Sequence, residues 1–243
     1  MVNYEPLIGW QEHISNVPRI DPRDPGQPQI GVSGFPMLRV ALTGGIACGK
    51  SLAGSFLARH GAEICEADAL AHAEMKPGEP GYQGVVEAFG SGILDARSEI
   101  DRWKLGRRVF ARPAELARLN GLVHPGVRRR WAEWLRTRSE RARVAVVIVP
   151  LLYEIGAERG WDAVVCVGGP VRLQMDRLRA RGFTDMESER RISAQMPLAI
   201  KMARSDVVVW NGGTGKSLLA QQMERTWRRL LESRTGNQEQ RRE

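Results

Sequence analysis

The chain of 243 residues is 42% hydrophobic and 26% charged, enough apolar material for one large packed domain or two small ones. No window approaches the run of ~18 apolar residues that a membrane helix needs, and three scattered cysteines, Cys48, Cys65 and Cys166, offer neither a metal spacing nor a disulfide framework. The formal charge of +8 is spread over predicted helices and not gathered into an aromatic-interleaved stripe, so phosphate-rich small ligands account for it as well as nucleic acid does.

Residues 1–36 are dense in Pro, Gly and Asp and carry no sustained periodicity, which predicts a disordered or loosely packed extension. Met37, directly before the first strand, is a second candidate start. No basic start followed by an apolar stretch opens the chain, so the cytoplasm is the default location. From Met37 a repeating plan begins. "LRVALT" (38–43) reads as a buried strand, and a glycine loop follows it. A helix over "KSLAGSFLARH" then ends at Gly61, a C-terminal cap. "AEIC" (62–65) is a short second strand, and residues 70–142 are mostly helical. "VAVVIV" (144–149), "DAVVCVG" (162–168) and "DVVVWN" (206–211) are three more strands. A last helix is expected from about Lys216 to Glu232, with a polar tail at 236–243. Strands that are apolar throughout and alternate with helices predict an α/β fold whose parallel five-stranded sheet is covered on both faces.

"ALTGGIACGKS" satisfies the spacing G-x-x-x-x-G-K-[ST] with Gly44, Gly49, Lys50 and Ser51. Successive backbone N–H groups can wrap a phosphate only where side chains stay clear, and the helix that follows adds partial positive charge. The loop residues Gly44, Gly45, Ile46, Ala47, Cys48, Gly49, Lys50 and Ser51 are therefore candidate nucleotide contacts. In such loops the Lys reaches the β- and γ-phosphates and the Ser hydroxyl binds Mg²⁺. Strand–loop–helix is the context this motif requires. Cys48 reads as a small residue tolerated in a tight turn. "NGGTGKS" (211–217) fails the same test: Gly215 would need a glycine at position 210, where Trp210 stands. It reads as the turn before the last helix, and it places Asn211 and Gly212 within reach of a bound base.

Glu66 and Asp68 lie where the second strand gives way to a helix, and the carboxyl ends of parallel strands face the ligand crevice. Two carboxylates there suit either Mg²⁺ organisation or acceptance of a proton from an attacking hydroxyl. They suit helix capping equally well. His72 and His124 are each a lone histidine, and Pro125 reads as a helix start. The tip of the third strand offers no Asp, only Glu154 a few residues on. Arg172, Arg177, Arg179 and Arg181 follow the fourth strand, with Arg190, Arg191 and Lys201 after them. Arginines on a mobile flap can neutralise a transferring phosphoryl group, and the others would form a solvated basic face.

Taken in order, "ALTGGIACGKS", "EADALAH", "IDRWKLGRRVF", "LNGLVHPGV", "VPLLYE", "QMDRLRARG" and "RISAQMPLAIKMARSDVVVWNGG" resemble the dephospho-CoA kinase family, from Met37 to about residue 230. The resemblance implies a P-loop NTPase-type three-layer fold over 37–235, with a helical substrate-binding insertion at about 70–142 and a lid at about 172–200. It implies transfer of the γ-phosphoryl of ATP to the 3′-hydroxyl of dephospho-CoA, giving CoA and ADP, with Mg²⁺. Glu66 falls on the first acid of the family's D-A-D-x-x-A segment, the expected base, and Asp68 matches the second. Arg177 or Arg181 corresponds to the lid arginine, while Arg191, Gln195 and Asp206 match the pattern that follows. Asn211 joins the nucleotide contacts, and His72, His124 and Pro125 fall in the substrate region. The implied partner is a small molecule, with no nucleic acid and no membrane, acting on a monomer or weak homo-oligomer. Three positions depart from the family: Glu66 for Asp, Ala47 for Gly and Cys48 for Ser. A misplacement of about 1 Å at a reacting group can cost ~10²-fold in rate, and Ala47 stands where a positive φ is costly. Another small-molecule kinase, or an ATP-binding regulator that turns nothing over, are the alternatives.

Overall fold

The computed structural model describes residues 37–110, 112–138, 142–213 and 215–239. The extension expected at 1–36 lies outside the described residues, as do residues 240–243 of the expected tail. Five strands, β1 (Leu38–Gly44), β2 (Glu63–Glu66), β3 (Val144–Ile148), β4 (Ala163–Gly168) and β5 (Val207–Trp210), form one sheet in the order β2-β3-β1-β4-β5. All four pairings are parallel, with Val40 opposite Val146 on one side of β1 and opposite Ala163 on the other. Each strand agrees with its expected range to within one residue at either end.

The central strands β1, β3 and β4 are apolar on both faces because both faces are covered there, while the edge strands β2 and β5 keep exposed residues. Side chains alternate across the pleat. Leu38, Val40 and Leu42 of β1 pack with Val144 and Val146 of β3 against Leu57 of α1 (Lys50–Arg59) and Leu219 and Met223 of α9 (Lys216–Glu239). Ala41 of β1 and Val147 of β3 point the other way. There they meet Val85, Val109, Val127 and Trp131 from the helical insertion α2 (Ala67–Glu74), α3 (Pro80–Phe89), α4 (Arg102–Phe110) and α5 (Pro113–Arg138). The chain leaves β1 toward β2 on one side and leaves β3 toward β4 on the other. β1 and β3 thus flank the point where the connections diverge, and in open α/β sheets the crevice beyond that point is where ligands bind. After β4 come α6 (Val171–Arg179), α7 (Asp185–Ser193) and α8 (Leu198–Ala203). A reciprocal capping box between Thr184 and Glu187 starts α7.

Two expectations are corrected. Pro125 does not begin a helix but lies inside α5, which is opened by Pro113. A proline there removes an intrahelical hydrogen bond, yet Val123, Val127 and Trp131 around it are all buried in the insertion core, and that packing carries the helix through. The last helix runs on to Glu239, past the Glu232 expected as its end and into the segment read as a tail. Extending an established helix needs no new nucleus and adds one backbone hydrogen bond per residue, so the helix runs on even through Thr235, Gly236 and Asn237, which are weak helix formers.

Candidate nucleotide and acceptor site

The phosphate loop is built by two glycines and held from behind by side chains. A Cβ on Gly44 would run into the backbone of Val167 on β4, so only glycine lets the loop leave the sheet there. Gly49 has φ 99°, and a Cβ on it would lie 2.5 Å from Asn211 Nδ2. That space is filled because Asn211 Nδ2 donates to the Cys48 carbonyl at 2.8 Å. Arg177 Nη1 donates to the Ala47 carbonyl at 2.7 Å. Ile46 N–H donates to Gln195 Oε1 at 2.8 Å. Lys50 Nζ donates to the carbonyls of Gly45 at 2.8 Å and Gly44 at 3.2 Å. With its carbonyls engaged in this way, the loop leads into α1, whose N-cap Gly49 provides no side-chain cap. The first N–H groups of α1 therefore remain open to an anion.

Ala47 adopts φ 57°, the left-handed conformation that its place in the loop foretold. Cys48 is fully buried in the core, and burial pushes its thiol up, as fits a small packing residue. Burial pushes the Lys50 ammonium down to about 8; the Lys201 charge adds to this, and Asp68 opposes it.

Glu66 and Asp68 both stand exposed at the end of β2 and the start of α2. Glu66 is the N-cap of α2 but makes no side-chain capping hydrogen bond. Asp68 acts electrostatically on Lys50 and on His72, whereas the charge of Glu66 is felt at Cys65. Burial lowers the His72 pKa, the Arg102 charge lowers it further, and Asp68 holds it up. Deeper in the insertion, burial and the neighbouring Arg128 push His124 down to about 4, so it is neutral at physiological pH. Pro125 is exposed beside it. Among the described residues no group of three His, Cys, Asp or Glu could hold a metal ion. The hard oxygen donors near Lys50 are Ser51 and Asp68, both exposed, which suits a cation that takes most of its ligands from phosphate and water.

The arginines that follow β4 divide by partner. Arg179 is held by Asp176 at 3.0 Å and Asp185 at 2.6 Å, Arg177 reaches the loop, and Arg181 is exposed in the turn after α6. Arg191 lies over the ring of Phe183, 4.0 Å from its centroid. Lys201 is not part of a solvated face. Its side chain is 0% exposed, 2.6 Å from Glu154 Oε1, and it donates to the Pro150 carbonyl at 3.0 Å. Glu154 is thereby the buried partner of Lys201. Sequence reasoning missed this pair and the contact of Gln195 with Ile46. The one available signal was the apolar setting of Lys201 in "MPLAIKMA".

Comparison with known proteins accords with this geometry. A family model described as dephospho-CoA kinase matches residues 38–217. The dephospho-CoA kinase of Geobacillus kaustophilus is 43% identical over 179 residues, covering 73% of this chain and 89% of the relative. That of Anaeromyxobacter dehalogenans is 41% identical over 187 residues, covering 74% and 86%. Among solved structures, TT1252 from Thermus thermophilus superposes with a TM-score of 0.66 at 30% identity, covering 80% of this chain and 96% of its own. The dephospho-CoA kinase from Campylobacter jejuni, at 23% identity and a TM-score of 0.59, shares the fold over 82% and 98%.

Proposed function

The chain belongs to the dephospho-CoA kinase family and phosphorylates dephospho-CoA with ATP to give CoA, and we propose how its residues divide that work. The observation that carries the proposal is the loop from Gly44 to Ser51, tied back by Asn211, Arg177 and Gln195 and opening a helix without a side-chain cap. Such a loop presents backbone N–H groups to the β- and γ-phosphates. Lys50 exchanges its two carbonyl partners for phosphate oxygens, which raises its pKa from about 8 and fixes its charge.

Ser51 and Asp68 are the residues that would hold Mg²⁺, which when bound neutralises charge on the phosphates. Glu66 accepts the proton of the 3′-hydroxyl. In support, it stands exposed at the strand tip and makes no side-chain capping bond. Arg177, already on the loop, and the exposed Arg181 screen charge as the phosphoryl group moves. His72, His124 and Pro125 line the acceptor region, with His124 serving as a neutral group. Work in the cytoplasm, as a monomer or weak homo-oligomer, completes the proposal.

Acceptor choice tests the substrate assignment. Phosphoryl transfer is expected with dephospho-CoA and not with nucleosides or nucleotides offered in its place.

A further inference from the structure

We infer that Gln195 is a positioning residue for the phosphate loop, and that the buried Glu154–Lys201 pair holds it in place; the inference rests on the kinase reading above. Asn211, Arg177 and Lys50 grip carbonyls of the loop, whereas Gln195 grips an N–H, that of Ile46, at 2.8 Å. A peptide fixed this way cannot turn over without losing its bond, and its N–H is withdrawn from the set that competes for phosphate. The orientation of the loop's next peptides follows from that fixed plane.

Gln195 itself stands in the short non-helical stretch between α7 and α8, where backbone alone fixes little. The adjacent residue supplies the anchor. Met196 N–H donates to Glu154 Oε1 at 2.9 Å, and the same oxygen takes Lys201 Nζ at 2.6 Å. Lys201 also donates to the Pro150 carbonyl at 3.0 Å, which Thr43 Oγ1 reaches at 3.4 Å from β1. One buried ion pair thus ties the end of β1, the turn after β3 and the entry to α8 into a single unit beside the loop. A Lys–Glu pair removed from water is a weak source of net stability, because desolvation offsets the attraction. Its use here is the geometry it imposes on the residue next to Gln195.

The test is amide hydrogen exchange, read by NMR on the full chain without nucleotide, set beside steady-state KM values. In Gln195→Met the Ile46 amide is expected to exchange roughly three- to tenfold faster, the size of one lost neutral hydrogen bond. Core amides such as Val146 and Val165 stay as protected as in the wild type. The KM for ATP is expected to rise by a similar factor, with that for dephospho-CoA unchanged. Gln195→Glu keeps an acceptor oxygen at the same reach and is expected to hold Ile46 protected. An Ile46 amide equally protected in Gln195→Met, or two KM values that rise together, overturns the inference. Should Gln195→Met not fold, Gln195→Glu decides, and an Ile46 amide unprotected there overturns it. A wild-type chain that forms no CoA would instead refute the kinase reading, and the exchange data would still decide the contact.

Discussion

Gly126 of α5 lies directly against the Glu74 carboxylate of α2, and a Cβ at that glycine would run into it. Glu74 is only 2% exposed and is paired with Arg130 at 2.7 Å and Arg129 at 3.5 Å. The glycine after His124 and Pro125 is therefore what lets a charged group sit between the first and last helices of the insertion. Gly126→Ala must push the Glu74 side chain aside within a packed site. Overpacking of this kind costs about 1–3 kcal/mol, so a loss of that order is expected in the unfolding free energy from denaturant titration, with a lower denaturant midpoint and melting temperature. A variant as stable as the wild type would show that Glu74 and its arginines shift aside at no cost.

Ala47 holds φ 57° in the phosphate loop. An alanine in the left-handed region costs roughly 1 kcal/mol relative to glycine. Ala47→Gly is accordingly expected to raise stability by up to about 1 kcal/mol, with turnover retained because the loop keeps its path. Thermal denaturation beside initial rates checks both halves of that statement.

His124 gives a pH dependence with a definite sign. Its folded-state pKa is about 4 against an ordinary 6.5. Between those values the unfolded chain takes up a proton that the fold refuses. Stability therefore falls as pH drops from about 6.5 to 4, by at most roughly 3 kcal/mol. His124→Gln is expected to flatten that part of the curve relative to wild type. Parallel curves for the two proteins would mean that His124 titrates normally.

Glu66 and Asp68 are separated by a substitution series. If Glu66 takes the acceptor proton, Glu66→Ala loses about 10²–10⁴ in kcat, and Glu66→Asp, which keeps the carboxylate, loses far less. Equal losses in both would move the proton to Asp68.

The sequence made the sheet legible because the central strands β1, β3 and β4 are almost continuously apolar, and it made the phosphate loop legible because Gly44, Gly49, Lys50 and Ser51 keep their spacing within ten residues. What it hid is long-range. Ile46 and Gln195 are 149 positions apart, and a lone glutamine has no periodicity that points to a loop. Lys201 resembled its basic neighbours by charge, while its burial comes from Glu154 at the other end of the contact. Pro125 misled for a physical reason: local chemistry favours a helix start, and packing of Val123 and Val127 overrides it.

CoA formation itself is the most direct measurement. Wild type and Lys50→Ala are each incubated with ATP, Mg²⁺ and dephospho-CoA; ADP release is followed and CoA identified by mass. The wild type is expected to form CoA, and Lys50→Ala none above background while melting as a folded protein. A wild type that binds ATP yet forms no CoA, or a Lys50→Ala variant with substantial turnover, would contradict the account.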